Sequence, residues 1–592
     1  MIPLHRVRTG LALAAAFLAL PASASAATLT VNDDSTGTGT CASTTLHSLQ
    51  AGIDAATNGD TINVCAGTYN AAGGAPAANV GKKLTINGAQ AGVDARSARS
   101  GAESVVNDAD GGFLLAGGSD GSTVDGFTVQ GVTTGTGAGI AMPAGNDDRI
   151  LNNIVTLNTI GISVNSDGPK DTVIRQNRIT NNNEPGASAG SGIYGDAGVD
   201  SVLIDKNVFT QQTNAAVIFV GPGNSDVGIT GNSLGDSLVY LQNSKDVDIA
   251  RNINAAPQFH AVQLDGGNSN VDIHNNGFTA NNDGWSAIRV SDSSAQGDNS
   301  DVSIRSNALT GPTGGTGAFG INVSAYEGQL HAAYNSITGF VAGGINNSDA
   351  NDTIDARNNW FGCNDGPGQT GCDTVTGSDA SDVDVTPFLV LGVSASPATI
   401  KAGGESSTVS ADLLHNSAGR EVDPDFPNGV SVAFTTTLGT LGAATATTKD
   451  GVASATLTSG AATGTATVAA KLNSATVTTP VTISAASAPP AAFKLDLTGK
   501  GEQKPAKLKA TATCSEACSV ALQASGKAKG GARFQSRVSK DTLTAGQSKV
   551  IPLSFKKKQL KAAESAKKLK IKGAANASGN RSSNASLRVT VK

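Results

Sequence analysis

The sequence predicts an all-β protein: a parallel β-helix solenoid through the middle of the chain, then two small β-sandwich domains. Three observations predict it. First, of 592 residues 72 are glycine, while aromatic residues make up 4% and charged residues 15%. Helix formers do not dominate, and Thr, Val, Ser, Asn and Gly together outnumber them, which suits strands joined by many turns. Second, a short unit centred on one asparagine recurs from about residue 120 to 361. Third, from residue 389 that unit stops, and alternating strands separated by Gly-rich turns replace it, the pattern of a β-sandwich. The length exceeds what one core fills, so several domains are expected. Regularly spaced Val and Ile are available for burial, which argues against disorder.

The first element is an export signal. Arg6 and Arg8 precede an apolar run from Leu11 to Leu20, and Ala24-Ser25-Ala26 offers small residues for cleavage. Residues 1–26 therefore read as a signal peptide, with the mature chain starting at Ala27. The run is about ten residues, too short to span a bilayer. No later segment is as hydrophobic, so no transmembrane segment is expected in the mature chain, which is placed outside the cell or on its surface. Six cysteines fall into three local pairs: Cys41 with Cys65, Cys363 with Cys372, and Cys514 with Cys518. In an oxidising compartment these read as three disulfides. The six histidines are scattered, so no zinc site is expected.

The repeat comes next. Its frame is an apolar residue, two variable residues, Asn, one residue, then a second apolar residue. Ile150, Asn153 and Val155 form one copy, and Ile174, Asn177 and Ile179 the next. The asparagine returns at Asn207, Asn232, Asn252, Asn276, Asn307, Asn335 and Asn359; at the Asn252 copy, Asn254 replaces the second apolar residue. Most copies follow a second run of the type Gly161-Ile-Ser-Val164, seen again at Gly192–Gly195, Ala261–Leu264, Ala287–Val290 and Gly320–Val323. The period, about 20–31 residues, is that of a solenoid. Each unit holds three strand-sized runs, and alternation turns one set of side chains inward. One coil cannot bury that face alone, whereas stacked coils can. The recurrent Asn is expected at a bend, in the left-handed backbone region that Asn tolerates, with its amide bonded to the next Asn in the stack. Asn183, outside the frame, reads as an exposed loop residue.

These repeats resemble the right-handed parallel β-helix proteins of the pectin-lyase-like superfold. The resemblance extends to both ends. Leu46, Leu49, Ile53 and Ala56 recur at helical spacing, and Gly59–Tyr69 follows, an order similar to that family's capping helix and first coil. The cap is expected at about 44–57, because an open solenoid end exposes core and unpaired strand edge. Asn358–Pro367 resembles a last-coil motif, with Trp360 covering the stack and the Cys363–Cys372 bridge pinning a cap loop over 362–388. The β-helix domain is thus 27–388.

Residues 389–486 follow. Thr437–Gly442, Asp450–Leu457 and Gly464–Val468 look like the invasin/intimin-type bacterial immunoglobulin-like domain, a module of adhesive stalks. Residues 487–492 form a stiff Pro/Ala linker. Residues 493–592 read as a second immunoglobulin-like sandwich, with Cys514 and Cys518 clipping a turn. Lys556–Lys568 reads as a basic helix with Leu560, Ala563 and Leu569 inward. Overall net charge is −6, yet from Ala491 onward 22 Lys or Arg face only 5 Asp or Glu. Such a basic end suits an anionic cell-wall polymer or polysaccharide. Nucleic acid is not an expected partner, since no binding motif accompanies the charge.

The resemblance implies two chemistries. A glycoside hydrolase needs two carboxylates flanking the sugar bond. A uronate lyase needs a base and a cation opposite the sugar carboxylate. Either would sit on the outer face of one sheet. Taking the residue between the two inward ones in each Gly-Ile-x-Val run gives Ser163, Tyr194, Ile218, Tyr240, Gln263, Arg289, Asn322 and Asn346. Asp196, Asp265 and Asp292 lie just beyond in the turns, and His260 just before its strand. Arg289 with Asp265 and Asp292 is the candidate catalytic cluster; Tyr194 and Tyr240, two coils apart, are candidates for stacking on sugar rings. The polygalacturonase set Asn-Thr-Asp, Asp-Asp, Gly-His-Gly and Arg-Ile-Lys is absent, as is the pectate-lyase Arg-x-Pro-x-x-Arg pattern, which weighs against enzyme activity. Asp33-Asp34, Asp108 with Asp110, and Asp147-Asp148 are acidic loops that could take calcium, but none has EF-hand spacing, so no cofactor is expected. The leading expectation is a secreted or surface protein whose β-helix face binds a glycan or a protein. A polysaccharide lyase or glycoside hydrolase is the alternative, and a structural envelope component the second.

Overall fold

The computed structural model describes residues 26–592 except 35, 72, 136, 255–257, 282–283, 313–316, 351 and 487–490. The signal peptide, apart from Ala26, and most of the linker lie outside the described residues. The chain forms two compact units, one ending at Ala485 and one beginning at Ala486.

The first unit opens with a right-handed parallel β-helix. Among the described residues its longest sheet has 15 strands, from Thr28–Val31 to Val383–Asp384, and a second sheet has 12, from Ala78–Val80 to Val375–Thr376. A third face is built of two shorter parallel sheets of six and four strands, linked by single bridges through Ser233. Register holds from rung to rung. Ile150, Ile174, Ile204, Ile229, Ile249, Ile273 and Ile304 stand in one column and are fully buried. Ile162, Ile193, Val217, Val239, Val262, Ile288, Ile321 and Ile345 form the column of the second sheet. Small residues precede these because the backbones meet closely: a methyl group on Gly161 would lie 2.5 Å from the Gly192 carbonyl oxygen.

The nine frame asparagines form one continuous ladder. Each backbone N–H from Asn153 to Asn335 donates to the Oδ1 of the next asparagine at 2.8–3.0 Å. Each Nδ2 donates to that same Oδ1 at 2.9–3.3 Å. Its second proton reaches back to a carbonyl one coil earlier, as from Asn232 to Ile204. One expectation is corrected here. The left-handed residue is the one before each ladder asparagine, not the asparagine itself: Asn152, Gln176, Lys206, Gly231, Arg251, Asn275, Ser306, Tyr334 and Asn358 have φ of 51–65°. That turn leaves the asparagine free to point inward with its amide along the stack.

Ser48 caps the helix Leu49–Ala55, its side chain accepting from Ala51 N–H at 3.1 Å. The capping helix is therefore shorter than 44–57, since the cap fixes its start after Leu46. Leu49, Gly52 and Ile53 cover the first coil. Cys41–Cys65, Cys363–Cys372 and Cys514–Cys518 are bonded.

The interior of the longest sheet holds a polar cluster with a carboxyl in it. Ser122, Asp148 and Thr172 precede Thr123, Arg149 and Val173, which pair across three successive rungs. All three are fully buried. Asp148 Oδ1 accepts Ser122 N–H at 2.9 Å, while Oδ2 has no partner. Burial pushes this carboxyl up to about 7.

The immunoglobulin-like sandwich packs two antiparallel-rich sheets, led by Leu389–Ser396 with Ser406–Asn416 and by Gly464–Leu472 with Ala475–Ser484. Its first strand leaves the last coil directly, Leu389 N–H donating to Asn359 O. Trp360 lies on the last coil, but its fully buried ring belongs to the core of the sandwich, with Leu389 and Leu391. Its Nε1 donates to Asn473 Oδ1 at 2.9 Å. Ser474 Oγ donates to Gly362 and Gly371 carbonyls at 2.7 and 2.9 Å, and Asn416 Nδ2 to Asn358 Oδ1 at 3.1 Å.

The second unit is a separate sandwich of a three-stranded and a six-stranded sheet around Leu522, Ile571 and Val589. Its helix spans Lys557–Glu564 with Ala563 buried. Leu569 is buried too, but from the strand Lys568–Ala577, so the helix ends before it. Among the described residues no helix is long and apolar enough to cross a membrane.

Candidate functional site

The outer column of the second sheet holds the chemistry-bearing residues. Ser163, Tyr194, Ile218, Tyr240, Gln263, Arg289, Asn322 and Asn346 follow one another in unbroken register. Neighbouring strands set them about 4.8 Å apart. Each follows a buried aliphatic residue of the inward column, which turns it to the outer face, although Asn346 is itself buried.

Tyr240, His260, Asp265 and Arg289 come together on this face. Tyr240 OH donates to Asp265 Oδ2 at 2.5 Å, and Gln242 Nε2 donates to Tyr240 OH at 2.7 Å. Asp265 is buried. Its Oδ1 accepts from Ser291 Oγ at 3.0 Å, Ser293 N–H at 2.8 Å and Ser293 Oγ at 2.7 Å. Burial alone would raise this carboxyl. The Tyr240, Ser293 and Ser291 donors outweigh burial and hold it far below the usual range. Burial, then the Asp265 bond, pushes the Tyr240 phenol above its ordinary value. Tyr240 is thus a fixed hydroxyl and no ready base, and Asp265 is an oxyanion with its lone pairs engaged.

His260 is buried, in edge contact with Trp285. Ser286 N–H points at its Nδ1 at 2.8 Å, and Arg289 Nη1 stands 3.5 Å from its Nε2. Burial, then the Arg289 charge, lowers its pKa to about 4. Arg289 stands in no ion pair among the described residues, and its buried Nε has no hydrogen-bond partner.

Asp292 does not join them. Its oxygens accept Gln296 N–H at 2.7 Å and Gly297 N–H at 3.0 Å, closing its own turn. Tyr194 lies two rungs before Tyr240, against Ala138, Ala141 and Ile160. It lines a separate hollow of about 380 Å³ with Thr159, Ser163 and Asp196. Gln242, Ser291 and Ser293 were not singled out by sequence; their signal is the alternate position beside Tyr240 and the turn after Arg289.

The acidic loops hold backbone. Asp33 accepts Thr68 N–H at 2.7 Å, Asp34 accepts Thr36 N–H at 2.9 Å, and Asp108 accepts Asp110 N–H at 2.9 Å. Asp110 accepts Gly74 N–H at 2.7 Å. Asp147 faces outward toward Lys170 and Arg149, whereas Asp148 faces the core. Among the described residues no three His, Cys, Asp or Glu converge as metal ligands.

No protein-family model matches the chain, and no curated protein matches it. Solved structures similar to parts of it include the A-module of mannuronan C-5 epimerase AlgE6 of Azotobacter vinelandii. Identity is 15% over 53% of this chain and 93% of that one, with a TM-score of 0.36. Adhesin InvE of Yersinia pseudotuberculosis is 18% identical over 34% of this chain and 58% of its own, with a TM-score of 0.14. The match thus spans less than two thirds of that adhesin chain. Likenesses this distant say nothing of activity.

Proposed function

We propose that this is an exported or surface protein that binds an acidic glycan on the outer face of its β-helix, around Arg289. The carrying observation is a guanidinium that has no carboxylate partner among the described residues, set among amide and hydroxyl groups. Gln263 and Asn322 flank it in register, and the Tyr240–Asp265 pair fixes one wall. A partly desolvated arginine outside any ion pair among the described residues, beside hydrogen-bonding amides, suits a sugar carboxylate with hydroxyls on either side. The immunoglobulin-like module supports an adhesive role, and the basic second unit adds attraction for polyanions.

The test is binding to polygalacturonate and to neutral dextran, at salt that screens exposed charge. Arg289→Ala should weaken polygalacturonate binding about 10- to 100-fold, the worth of one charge-assisted hydrogen-bonded contact. Unchanged affinity refutes the reading.

One observation favours a second reading, a uronate lyase: the His260 imidazole adjoins Arg289. Elimination would need that imidazole to reach a sugar C–H, and it is buried. Unsaturated products, detected by ultraviolet absorbance and lost in Arg289→Ala, would establish the lyase and displace the adhesive reading.

A further inference from the structure

The strongest unassigned feature is a cationic sheet face in the second unit. Lys568, Lys570 and Lys572 point outward on one strand, alternating with buried Leu569 and Ile571. Lys570 pairs with Arg588 on one side and Ser525 on the other. Lys527 pairs with Arg533 at the far edge. All six cations are exposed, and none is in an ion pair among the described residues.

Four of the five acids of this unit are elsewhere. Asp496 is paired with Lys494, Glu516 with Arg581 and Asp541 with Lys549. Glu564 lies on the helix, and Glu502 stands in register with Lys568 across Thr590, closing the end of that one row. Like charges placed directly opposite, as Lys570 and Arg588 are, destabilise a sheet. The fold keeps them together without neutralising them. Beside them lies a hollow of about 600 Å³ lined by Ser525, Lys527, Arg533, Gln535, Gln559 and Lys570.

From this geometry we propose that the face binds an extended, carboxylate-bearing polysaccharide. Cations repeat about 6.8 Å apart along the central strand and about 4.8 Å across strands, a track for a linear polyanion. Gln523 and Ser586 flank Lys572 in register, offering partners to sugar hydroxyls between the charges. Nucleic acid fits less well. Phe534 is buried, so bases find no exposed ring there to stack on. The proposal is independent of the Arg289 site.

The test uses the full chain on immobilised polygalacturonate over a range of NaCl concentrations. Lys568→Gln, Lys570→Gln and Lys572→Gln combined should weaken binding about tenfold at low salt and reduce the log–log salt slope by about two to three. A melting temperature no lower than that of wild type shows that this variant is folded. Lys401→Gln, Lys449→Gln and Lys471→Gln combined remove as much charge from the other unit and should bind like wild type. Unchanged affinity and slope in the first variant overturn the proposal. So does an equal loss in the second, or a DNA duplex bound as tightly as the polysaccharide. Arg289→Ala should leave the salt-slope difference in place, so failure of the earlier reading and of this one are separately visible.

Discussion

Replacing Asn232 by leucine should break the ladder at one rung, and the loss follows from the groups left behind. Asn232 Oδ1 accepts Asn207 N–H at 2.8 Å and Asn207 Nδ2 at 3.1 Å. Its Nδ2 donates to Ile204 O at 2.9 Å and Asn252 Oδ1 at 2.9 Å. In the variant, Asn252 Oδ1 still receives Asn232 N–H at 2.9 Å, and the Asn207 amide still reaches Ile174 O at 2.8 Å. The Asn207 N–H and the Ile204 carbonyl lose these partners and stay buried. At about 1–3 kcal/mol for each orphaned group, the loss is about 2–6 kcal/mol. Hydrogen exchange read by mass spectrometry is the right assay, because rungs of a solenoid open locally. Protection should fall across residues 200–255 and persist near Ile150. Asn183 is no neutral control, since its Oδ1 accepts Thr213 N–H at 3.0 Å and its Nδ2 donates to Gln211 O at 2.7 Å. Asn79→Leu, at an exposed strand position, serves instead. Equal loss of protection in Asn79→Leu and Asn232→Leu would refute the ladder's energetic role.

Other outcomes are open to the same directness. Asp148 has a folded pKa raised to about 7, so the folded state holds a proton that the unfolded state releases between about pH 4 and 7, and stability falls as pH rises through that window. Asp148→Asn should gain up to about 4 kcal/mol over wild type at pH 8 and almost nothing at pH 4; a pH-independent difference in urea melts contradicts this. His260 has a folded pKa lowered to about 4, so its contribution is present above pH 6.5 and is lost as pH falls toward 4; His260→Gln should flatten the acid limb of the stability curve, and an unchanged limb refutes the assignment. Trp360→Ala should cost about 3–5 kcal/mol and split one calorimetric transition of the first unit into two; a single unshifted transition would show that the ring does not couple the parts.

The ladder was legible because one residue type, asparagine, repeats in one frame. The left-handed position before it was not, because Gln176, Lys206, Arg251, Ser306 and Tyr334 share no chemistry; stacking, not propensity, sets that turn. A second, shorter ladder, Asn158 to Asn182 to Gln212, has too few rungs to stand out. The outer column was legible from alternation alone. Its chemistry was not: Asp265 and Asp292 look alike in sequence, and only the fold turns one toward Tyr240 and the other into its own turn. Asp147-Asp148 read as an acidic loop, and the pair does lie between the strands ending at Gly145 and starting at Arg149, but only the fold shows that one side chain faces solvent and the other the core. Trp360 was placed at the end of the stack, but its partner Asn473 lies 113 residues further on, beyond any local pattern.

The bonds that hold the sandwich to the β-helix involve Asn358, Trp360, Gly362, Asn364 and Gly371, all in the final coil or the loop after it. Among the described residues no earlier rung contributes one of these bonds, but Pro427 and Asn428 of the sandwich border a hollow with Arg251, Asn275 and Ala308 of earlier rungs. Duplicating a repeat before Arg251 would therefore lengthen the rod by one inter-strand step, about 4.8 Å, and leave both the joint and that hollow as they are. Reach can vary by whole rungs, while the angle at which the first module departs stays constant.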